Sequence, residues 1–397
     1  MLTLDRIYQA AHTLKDQVRK TDVIPYSNIE SGCKLYLKTE NLQVTGSFKV
    51  RGASFKIAML SEEERANGII ACSAGNHAQG VARAAQRMGA NATIFIPNIA
   101  PISKVEATKK MGANVKLVDG LYDDAHAAAV TYQKESGGVF IHPFDDIDVI
   151  AGQGTVGLEI LEQIPNLDAV VIPVGGGGLI SGMAFAIKKL SPSCKIYGVQ
   201  AAGAGSMFKS LENKCRTNLC DISTFADGIA VRFPGESTFE LCTQYVDQIV
   251  TVTDDEIATA ILTLMEQQKL VAEGAGAVAV AAVLFNKLPL DEKKVCALVS
   301  GGNIDVNILS RVINRGLLTT GRLSELTVQM LDRPGQLTEV SSIISNMGAN
   351  VTKVLHNPGG EDTDINGCYL HLSMETKNHA HFSAVKKAIQ DAGYIIV

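Results

Sequence analysis

Lys49 stands inside the stretch KTENLQVTGSFKVRGA, residues 38–53, among small, hydroxylated and apolar residues. Burial of a lysine in a dry pocket lowers its pKa, and the neutral amine is then a nucleophile. Taken alone, a lysine flanked by Ser and Phe is more often a residue of a helix surface. Its role therefore depends on which other groups the fold places around it.

Four consecutive glycines, Gly175–Gly178, separate the apolar run DAVVIPV from a helical pattern that starts near Leu179. Converging backbone N–H groups and the positive helix N-terminus make such a run an anion-binding cradle, which four glycines favour over a simple tight turn. The run does not match G-x-G-x-x-G, and the next strand ends in Gln200 instead of a ribose-binding acid. No G-x-x-x-x-G-K-[ST] occurs either. The pattern predicts a small phosphorylated cofactor.

The stretch ACSAGNHAQG places four polar residues, Ser73, Asn76, His77 and Gln79, at the junction of a strand and a helix. Helix capping needs only one of them, so the loop is interpreted as a carboxylate-binding site. In VCALVSGGNID, Ser300 ends a buried strand in the same way.

Lys49, Asn76, Gly175 and Ser300 all lie just beyond strand ends or at helix starts. Ligands of open α/β sheets gather at the carboxyl ends of strands, so these residues are expected to share one cleft. Beside a phosphate cradle, Lys49 is then suited to form an imine with the aldehyde of pyridoxal 5'-phosphate.

The elements that must position these residues alternate between strand and helix. Short β-branched runs predict buried strands, with helical periodicity between most of them: KLYLKT, GIIAC, ATIFIP, VKLV, GVFI, AVVIPV, KIYGVQ, QIVTV and VCALVS. This alternation predicts mainly parallel sheets with helices on both faces, and the number of strands predicts two such sheets with a cleft between them.

The pattern changes near residue 320, where NRGLLTTGRLSE is typical of a linker. The segments that follow predict the order βαββαβ, the ferredoxin-like layout.

The composition narrows the class of protein. A chain of 397 residues that is 46% hydrophobic and 19% charged is long enough for two or three domains. Its net charge of −5 and the lack of a basic stripe argue against nucleic-acid and anionic-membrane partners. The N-terminal MLTLDRIYQAAHTLKD is interpreted as a helix rather than a signal peptide, and no apolar run predicts a membrane span. Eight scattered cysteines without metal spacing are typical of reduced thiols in a cytoplasmic protein.

The motifs TGSFKVRGA, SAGNHAQG, GGGGL and SGGN resemble those of the fold-type II, tryptophan synthase β-like pyridoxal-phosphate enzymes, and in particular the threonine dehydratases (threonine ammonia-lyases). The resemblance covers residues 1–320, with a smaller subdomain at roughly 45–150. It implies that Lys49 is the Schiff-base lysine and that Asn76, the phosphate loop and Ser300 bind the cofactor. The full implied cofactor set is Phe48, Lys49, Asn76, Gly175, Gly176, Gly177, Gly178, Leu179 and Ser300. The implied substrate set is Ser73, Ala74, Gly75, Asn76 and His77, with Gly228 and Glu273 as further candidates.

The implied reaction is α,β-elimination of water from L-threonine, giving 2-oxobutanoate and ammonia. Serine racemases of this type carry a second hydroxyl in the asparagine loop, as SSGNH, whereas this chain has Ala74 there, which favours elimination over racemisation. Ala202 stands where an acidic metal ligand would lie, so no metal is expected. A dehydratase acting mainly on L-serine and a non-catalytic amino-acid sensor are the alternatives.

After a linker at 321–324, residues 325–397 resemble an ACT domain, a regulatory amino-acid-binding module. The resemblance rests on a loop and on the start of the next strand: Asp332, Arg333, Pro334, Gly335, Gly348 and Asn350. It implies allosteric control by isoleucine, another amino acid or a nucleotide, and the family implies a homotetramer.

Overall fold

The computed structural model describes residues 1–26, 32–358 and 365–397. The strands in this part of the chain are β1 (Val23–Pro25), β2 (Lys34–Thr39), β3 (Ile69–Cys72), β4 (Ala92–Pro97), β5 (Asn114–Val118), β6 (Val139–Phe140), β7 (Ala169–Pro173), β8 (Lys195–Ala201), β9 (Gln248–Val252), β10 (Lys294–Val299), β11 (Leu323–Leu331), β12 (Asn350–Pro358), β13 (Gly367–Glu375) and β14 (Ile395–Ile396).

The α-helices are α1 (Leu4–Leu14), α2 (Lys49–Met59), α3 (Glu62–Ala66), α4 (Asn76–Arg87), α5 (Ile102–Lys110), α6 (Tyr122–Ser136), α7 (Ile147–Gln163), α8 (Gly178–Leu190), α9 (Ser206–Glu212), α10 (Glu236–Tyr245), α11 (Asp254–Thr263), α12 (Gly274–Leu284), α13 (Val306–Thr319), α14 (Gln336–Asn346) and α15 (His379–Asp391). Short 3-10 turns occur at Glu40–Leu42, Ala202–Ala204 and Asp227–Ile229, and a π-helical turn at Leu264–Gln268. None of the described helices is both long enough and apolar enough to span a bilayer.

The chain forms two compact units, Met1–Val306 and Asn307–Val397. The division falls earlier than the predicted boundary at 320, because α13 belongs to the second unit. The predicted linker 321–324 is also partly regular structure, since β11 begins at Leu323.

The first unit contains two sheets, as the alternation of strands and helices predicted. The larger has the order β1-β2-β10-β7-β8-β9, and all its neighbours are parallel except the edge pair β1 and β2. The smaller has the order β5-β4-β3-β6 and is wholly parallel. Because β2, β10 and β7 are adjacent and parallel, the segments that follow them leave the sheet at one edge.

The central strands are apolar because helices cover both faces of the larger sheet. All five residues of β7, AVVIP, are buried, and so are all but the first residue of β10. Small residues let the covering helices approach closely. At Gly182 in α8, a Cβ would lie 2.2 Å from the Ile150 carbonyl oxygen of α7.

The second unit has the strand order β12-β13-β11-β14, with antiparallel pairs throughout, and its elements follow the chain order βαββαβ from β11 to β14. One face of the sheet packs with α14 and α15 around a core that includes Val328, Leu370, Leu372, Val340 and Val385. This arrangement is the ferredoxin-like layout that the sequence predicted.

Candidate active site

Lys49 is positioned by a short segment that lies against the exit of the neighbouring strand. The Phe48 N–H donates to the Ser300 carbonyl oxygen at 3.1 Å, and the Gly302 N–H donates to the Gly46 carbonyl oxygen at 2.9 Å. These bonds join the segment before α2 to the loop after β10. Lys49, the first residue of α2, is thereby held beside Ser300.

Gly46 is required for this turn. Its φ of 71° lies in the left-handed region, and a Cβ there would stand 2.3 Å from the Asn303 side-chain oxygen. The glycine in TGSFK therefore lets the chain turn from the sheet into α2 at this point.

The Lys49 amine faces the interior of a cavity, where its Nζ donates to the Pro143 carbonyl oxygen at 2.9 Å. Burial lowers the pKa of Lys49 to about 8, and the carboxyl of Glu273 only partly opposes this effect. The amine therefore loses its proton more readily than a surface lysine, as a nucleophile or a base requires.

The four glycines form the loop between β7 and α8, and two constraints explain their identity. Gly177 has φ 100°, which disfavours other residues. A Cβ on Gly176 would lie 2.5 Å from ring atoms of Phe144, and one on Gly178 would lie 2.7 Å from the Phe144 carbonyl oxygen. Thr238 fixes the loop from the other side, since its hydroxyl donates to the Gly176 carbonyl oxygen at 2.6 Å.

This loop suits an anionic group. It lies at the N-terminus of a 13-residue helix, where backbone N–H groups and the helix dipole favour negative charge. The N-cap residue, Gly177, has no side chain that could cap the helix, and no side-chain capping bond is made there. Because the Lys49 amine lines the same cavity, a phosphorylated aldehyde fits the residues present.

Asn76, the first residue of α4, is held at both ends of its amide. Its Nδ2 donates to Oε1 of Glu273 at 2.6 Å, and its Oδ1 accepts from Nδ2 of Asn303 at 2.7 Å. Asn303 also donates to the Thr45 carbonyl oxygen at 2.8 Å. These contacts link the smaller sheet, which carries Asn76, to the larger one.

Glu273 stands at the N-cap of α12 but makes no side-chain capping bond there. It is 5% exposed and faces the cavity. Burial raises its pKa to about 7 and the charge of Asp227 adds to this, while Asn76, Lys104 and Lys49 oppose it. Its carboxyl group can therefore hold or release a proton near neutral pH.

His77 and His142, which line the cavity, are neutral at pH 7. Burial and the nearby Lys49 lower the pKa of His77 to about 3, and its Nε2 is hydrogen-bonded to the Ile141 carbonyl oxygen at 2.8 Å. Burial lowers the pKa of His142 to about 4. With its ring committed to Ile141, His77 offers its backbone N–H to a ligand, but not a charged imidazole.

The other predicted residues line the same cavity of about 700 Å³, a volume typical of cofactor and substrate sites. Ser300 is buried, and its hydroxyl donates to the Ala275 carbonyl oxygen at 3.3 Å. The cavity also brings together the predicted residues Phe48, Ser73, Ala74, Gly75, Gly175, Leu179 and Gly228.

Several lining residues were missed by the sequence analysis: Asn303, Pro143, Phe144 and His142. Asn303 follows Ser300 in SGGN, so a polar residue after a glycine pair at a strand end was a usable signal. The stretch HPF, residues 142–144, carries no such signal, because its place depends on packing against a distant glycine loop.

The predicted regulatory residues lie in the second unit, and the structure does not bring them all together. The loop Asp332–Gly335 follows β11 beside the start of β13, where Leu331 pairs with Gly367. Asn350 lies at the opposite end of the sheet, where it pairs with Glu375 and donates to its side chain at 3.0 Å. A strand of nine residues spans roughly 30 Å, so one chain cannot form a single site from both.

Comparison with known proteins agrees with the class that the fold and cavity define. The chain belongs to the family of pyridoxal-phosphate-dependent enzymes, whose family model matches residues 14–301.

Within that class, the chain is 50% identical over 397 residues to an L-threonine ammonia-lyase of Thermotoga maritima, covering 99% of this chain and 98% of that protein. Its fold is similar to that of the processed form of threonine deaminase isoform 2 from Solanum lycopersicum, with a TM-score of 0.75, 38% identity and coverage of 80% and 95% of the two chains. Maize serine racemase also has a TM-score of 0.75, at 36% identity and 80% and 98% coverage.

Proposed function

We propose that this chain is a pyridoxal-phosphate-dependent lyase that converts L-threonine to 2-oxobutanoate and ammonia by elimination of water. The observation that carries the proposal is the meeting of Lys49, Asn76, the glycine loop and Ser300 in one cavity. The names of the similar ammonia-lyase and deaminase support the substrate.

The residues around the cavity have distinct roles in this proposal. Pyridoxal phosphate, when bound, supplies an electron sink for the charge left by a proton removed from the substrate. The Gly175–Gly178 loop holds the phosphate through its N–H groups and the α8 dipole. Ser300 and Asn76 bind the ring nitrogen and the ring oxygen of the cofactor.

Lys49 would hold the aldehyde carbon of the cofactor, and its Nζ would take the Cα proton of the substrate. A pKa of about 8 makes it a competent base near neutral pH. The N–H groups of the Ser73–His77 loop, at the start of α4, bind the substrate carboxylate. Ser300 is a neutral partner for the ring nitrogen, which makes a weaker electron sink than a carboxylate partner would and favours rapid elimination.

Racemisation is the second candidate, because of the similarity to maize serine racemase. It needs an acid or base on the face of the substrate opposite Lys49. The asparagine loop has Ala74 at the position where the racemase pattern has a second hydroxyl, so elimination is favoured.

The direct test measures the products formed by purified chain with added pyridoxal phosphate. We expect 2-oxobutanoate from L-threonine, slower formation of pyruvate from L-serine, and no D-serine. Faster turnover of L-serine would instead make the chain a serine dehydratase. A chain that stays colourless with added cofactor would support a non-catalytic amino-acid sensor.

The charge of Glu273 gives a pH-dependent prediction. Only the ionised carboxylate makes a charge-assisted bond to Asn76, which is roughly twice as strong as a neutral one. With a pKa of about 7, Glu273 takes up a proton as the pH falls, so we expect kcat/KM to decline below pH 7.

In Glu273→Gln the same hydrogen bond forms without charge, so we expect activity about tenfold lower and no decline near pH 7. Steady-state rates from pH 5.5 to 9 measure this effect. Glu62→Gln, an exposed position in α3, is the matched control and keeps the wild-type profile. An unchanged profile in Glu273→Gln would rule out this role.

The second unit is proposed to be an ACT module that regulates the enzyme. Its βαββαβ layout supports this, and so does the Thermotoga maritima relative, which matches almost the whole chain. The Asp332–Gly335 loop at the start of α14 would bind the effector, with Asn350 taking part only from a second copy of the chain.

Arg333→Ala tests this site, because an exposed guanidinium binds carboxylates in a bidentate manner. We expect the response to isoleucine to weaken at least about tenfold, with basal activity unchanged. Arg311→Ala in α13 is the matched control. If Arg333→Ala responds to isoleucine and to AMP as the control and the wild type do, the loop is not the effector site.

A homotetramer and a cytoplasmic location complete the proposal. The tetramer is tested by sedimentation of the purified chain, and a monomer at micromolar concentration would exclude it.

A further inference from the structure

Three side chains of the second unit converge at the end of its sheet. Asp332 directly follows β11, His356 lies in β12 and Cys368 lies in β13. One oxygen, one nitrogen and the sulfur of these residues all lie within 4.8 Å of one another. Chain positions so far apart have no motif spacing, and the sheet brings them together because β13 pairs with both other strands.

We propose that Asp332, His356 and Cys368 bind a divalent transition-metal ion of the zinc class. This site shares no residue with the cavity of the first unit, and it does not depend on the lyase activity.

The separations match those of a metal centre. In a tetrahedral zinc site with bonds of about 2.0–2.1 Å, a ligand oxygen and nitrogen are about 3.4 Å apart. Oδ1 of Asp332 and Nε2 of His356 are 3.3 Å apart. The other separations in the cluster are no larger than 4.8 Å, and rotation of the partly exposed Asp332 and His356 side chains can shorten them to those of a zinc site.

The three ligands differ in exposure: one is buried in the core and two are partly exposed to solvent. Cys368 is 0% exposed and belongs to the core beneath the helices. The Asp332 and His356 side chains are 52% and 39% exposed. The sulfur is therefore held in place by the sheet, while the carboxylate and imidazole stand where an ion can enter from solvent.

The backbone holds these ligands close together. The Asp332 N–H donates to the Asn366 carbonyl oxygen at 2.7 Å, which ties the end of β11 to the start of β13. Across the sheet, Cys368 pairs with Pro358 and Leu370 pairs with His356. His356 therefore lies two residues along β12 from Pro358, the residue at the level of Cys368.

The ligand types select the metal. A thiolate and an imidazole favour zinc-class ions, whereas magnesium and calcium prefer sites made of oxygen alone. One thiolate and one carboxylate balance the charge of a divalent ion. With three protein ligands, a fourth position stays open for water or for a small ligand such as a carboxylate.

Cobalt(II) is the probe, because its absorption in the visible region reports tetrahedral geometry and thiolate ligation. The full chain, loaded with pyridoxal phosphate and freed of metal with a chelator, is titrated with cobalt. We expect one ion per chain with tetrahedral bands in the red, which an equivalent of zinc displaces.

Cys368→Ala should remove the thiolate band, and His356→Gln should weaken binding by about 100-fold or more, since loss of a ligand exceeds the effect of losing a supporting residue. Cys215→Ser, an exposed cysteine of the first unit, is the control and keeps the wild-type titration. His356 is partly exposed, so its variant is informative even if Cys368→Ala folds poorly. Absence of tetrahedral bands, or identical titrations for wild type and His356→Gln, would overturn the proposal.

Discussion

Lys49→Ala is expected to lower the rate of 2-oxobutanoate formation by more than about 10⁴-fold, because one side chain supplies both the covalent link to the cofactor and the base. The Lys49 amine lies inside the cavity, and its pKa of about 8 suits both tasks. We found no other lysine positioned to replace it among the described residues that line the cavity, since Lys104 is paired with Asp227.

Two measurements separate loss of chemistry from loss of binding. The Gly175–Gly178 loop is intact in Lys49→Ala, so the variant should still bind pyridoxal phosphate, but borohydride should no longer fix the cofactor to the chain. Lys109→Ala, an exposed lysine of α5, is the matched control and should behave like wild type. Activity within tenfold of wild type in Lys49→Ala would show that another group is the base.

The sequence could predict the parts of the site that follow directly from strand ends. Buried β-branched runs located β3, β7 and β10, and the residues just after a parallel strand must lie at its carboxyl edge. This logic places Asn76, the glycine loop and Ser300 in one cavity, and the structure agrees.

What could not be predicted depends on contacts between distant segments. Phe144 covers the glycine loop only because β6 of the smaller sheet leads the chain back toward β7. The pKa of Glu273 depends on burial and on Asp227, Asn76 and Lys104, which come from separate loops and helices. The hydrophobic periodicity of the sequence carries no information on contacts between segments that are distant in the chain.

The ferredoxin-like unit shows the same limit. Its layout followed from the order of short patterns, yet the separation of Asn350 from the Asp332 loop follows only from the antiparallel register of β12 and β13. The same register brings Asp332, His356 and Cys368 together. The sequence motif located the Asp332 loop, but only the strand pairing shows which side chains lie close to it.

Arg51→Met is expected to lower the free energy of unfolding by about 3–5 kcal/mol, because it leaves a buried carboxylate without its partner. Arg51 lies two residues after Lys49 in α2, and its side chain is 1% exposed. Its guanidinium binds both oxygens of Glu40 at 2.8 Å, and Nη1 binds Glu159 at 2.6 Å. Lys38 binds the other oxygen of Glu159 at 2.6 Å.

The comparison of variants isolates the cause of this loss. Arg87→Met, at an exposed end of α4, is the control and should change stability by less than about 0.5 kcal/mol. In Glu40→Gln/Arg51→Met no buried charge is left from this pair, so the double variant should be more stable than Arg51→Met alone. Urea unfolding measures all three, and equal stability of the single and double variants would contradict the assignment.

Acid should unfold the wild type and Arg51→Met differently. Burial alone would raise the pKa of Glu40, but the charge and hydrogen bonds of Arg51 outweigh burial and hold the pKa below its usual value. A carboxyl whose pKa is lower in the folded state stabilises the protein above its unfolded pKa, and this contribution is lost as the pH falls through the folded pKa.

Without Arg51, burial dominates and the folded pKa of Glu40 rises, so Glu40 takes up a proton at higher pH. The stability difference between wild type and Arg51→Met should therefore be large at pH 7 and should shrink as the pH falls, first through the raised folded pKa of Glu40 in the variant and then below about 4.5, the ordinary value for glutamate, where the wild type loses stability. Urea midpoints from pH 7 to pH 4 measure this convergence, and curves that stay parallel would show that Glu40 is not the group left unpaired.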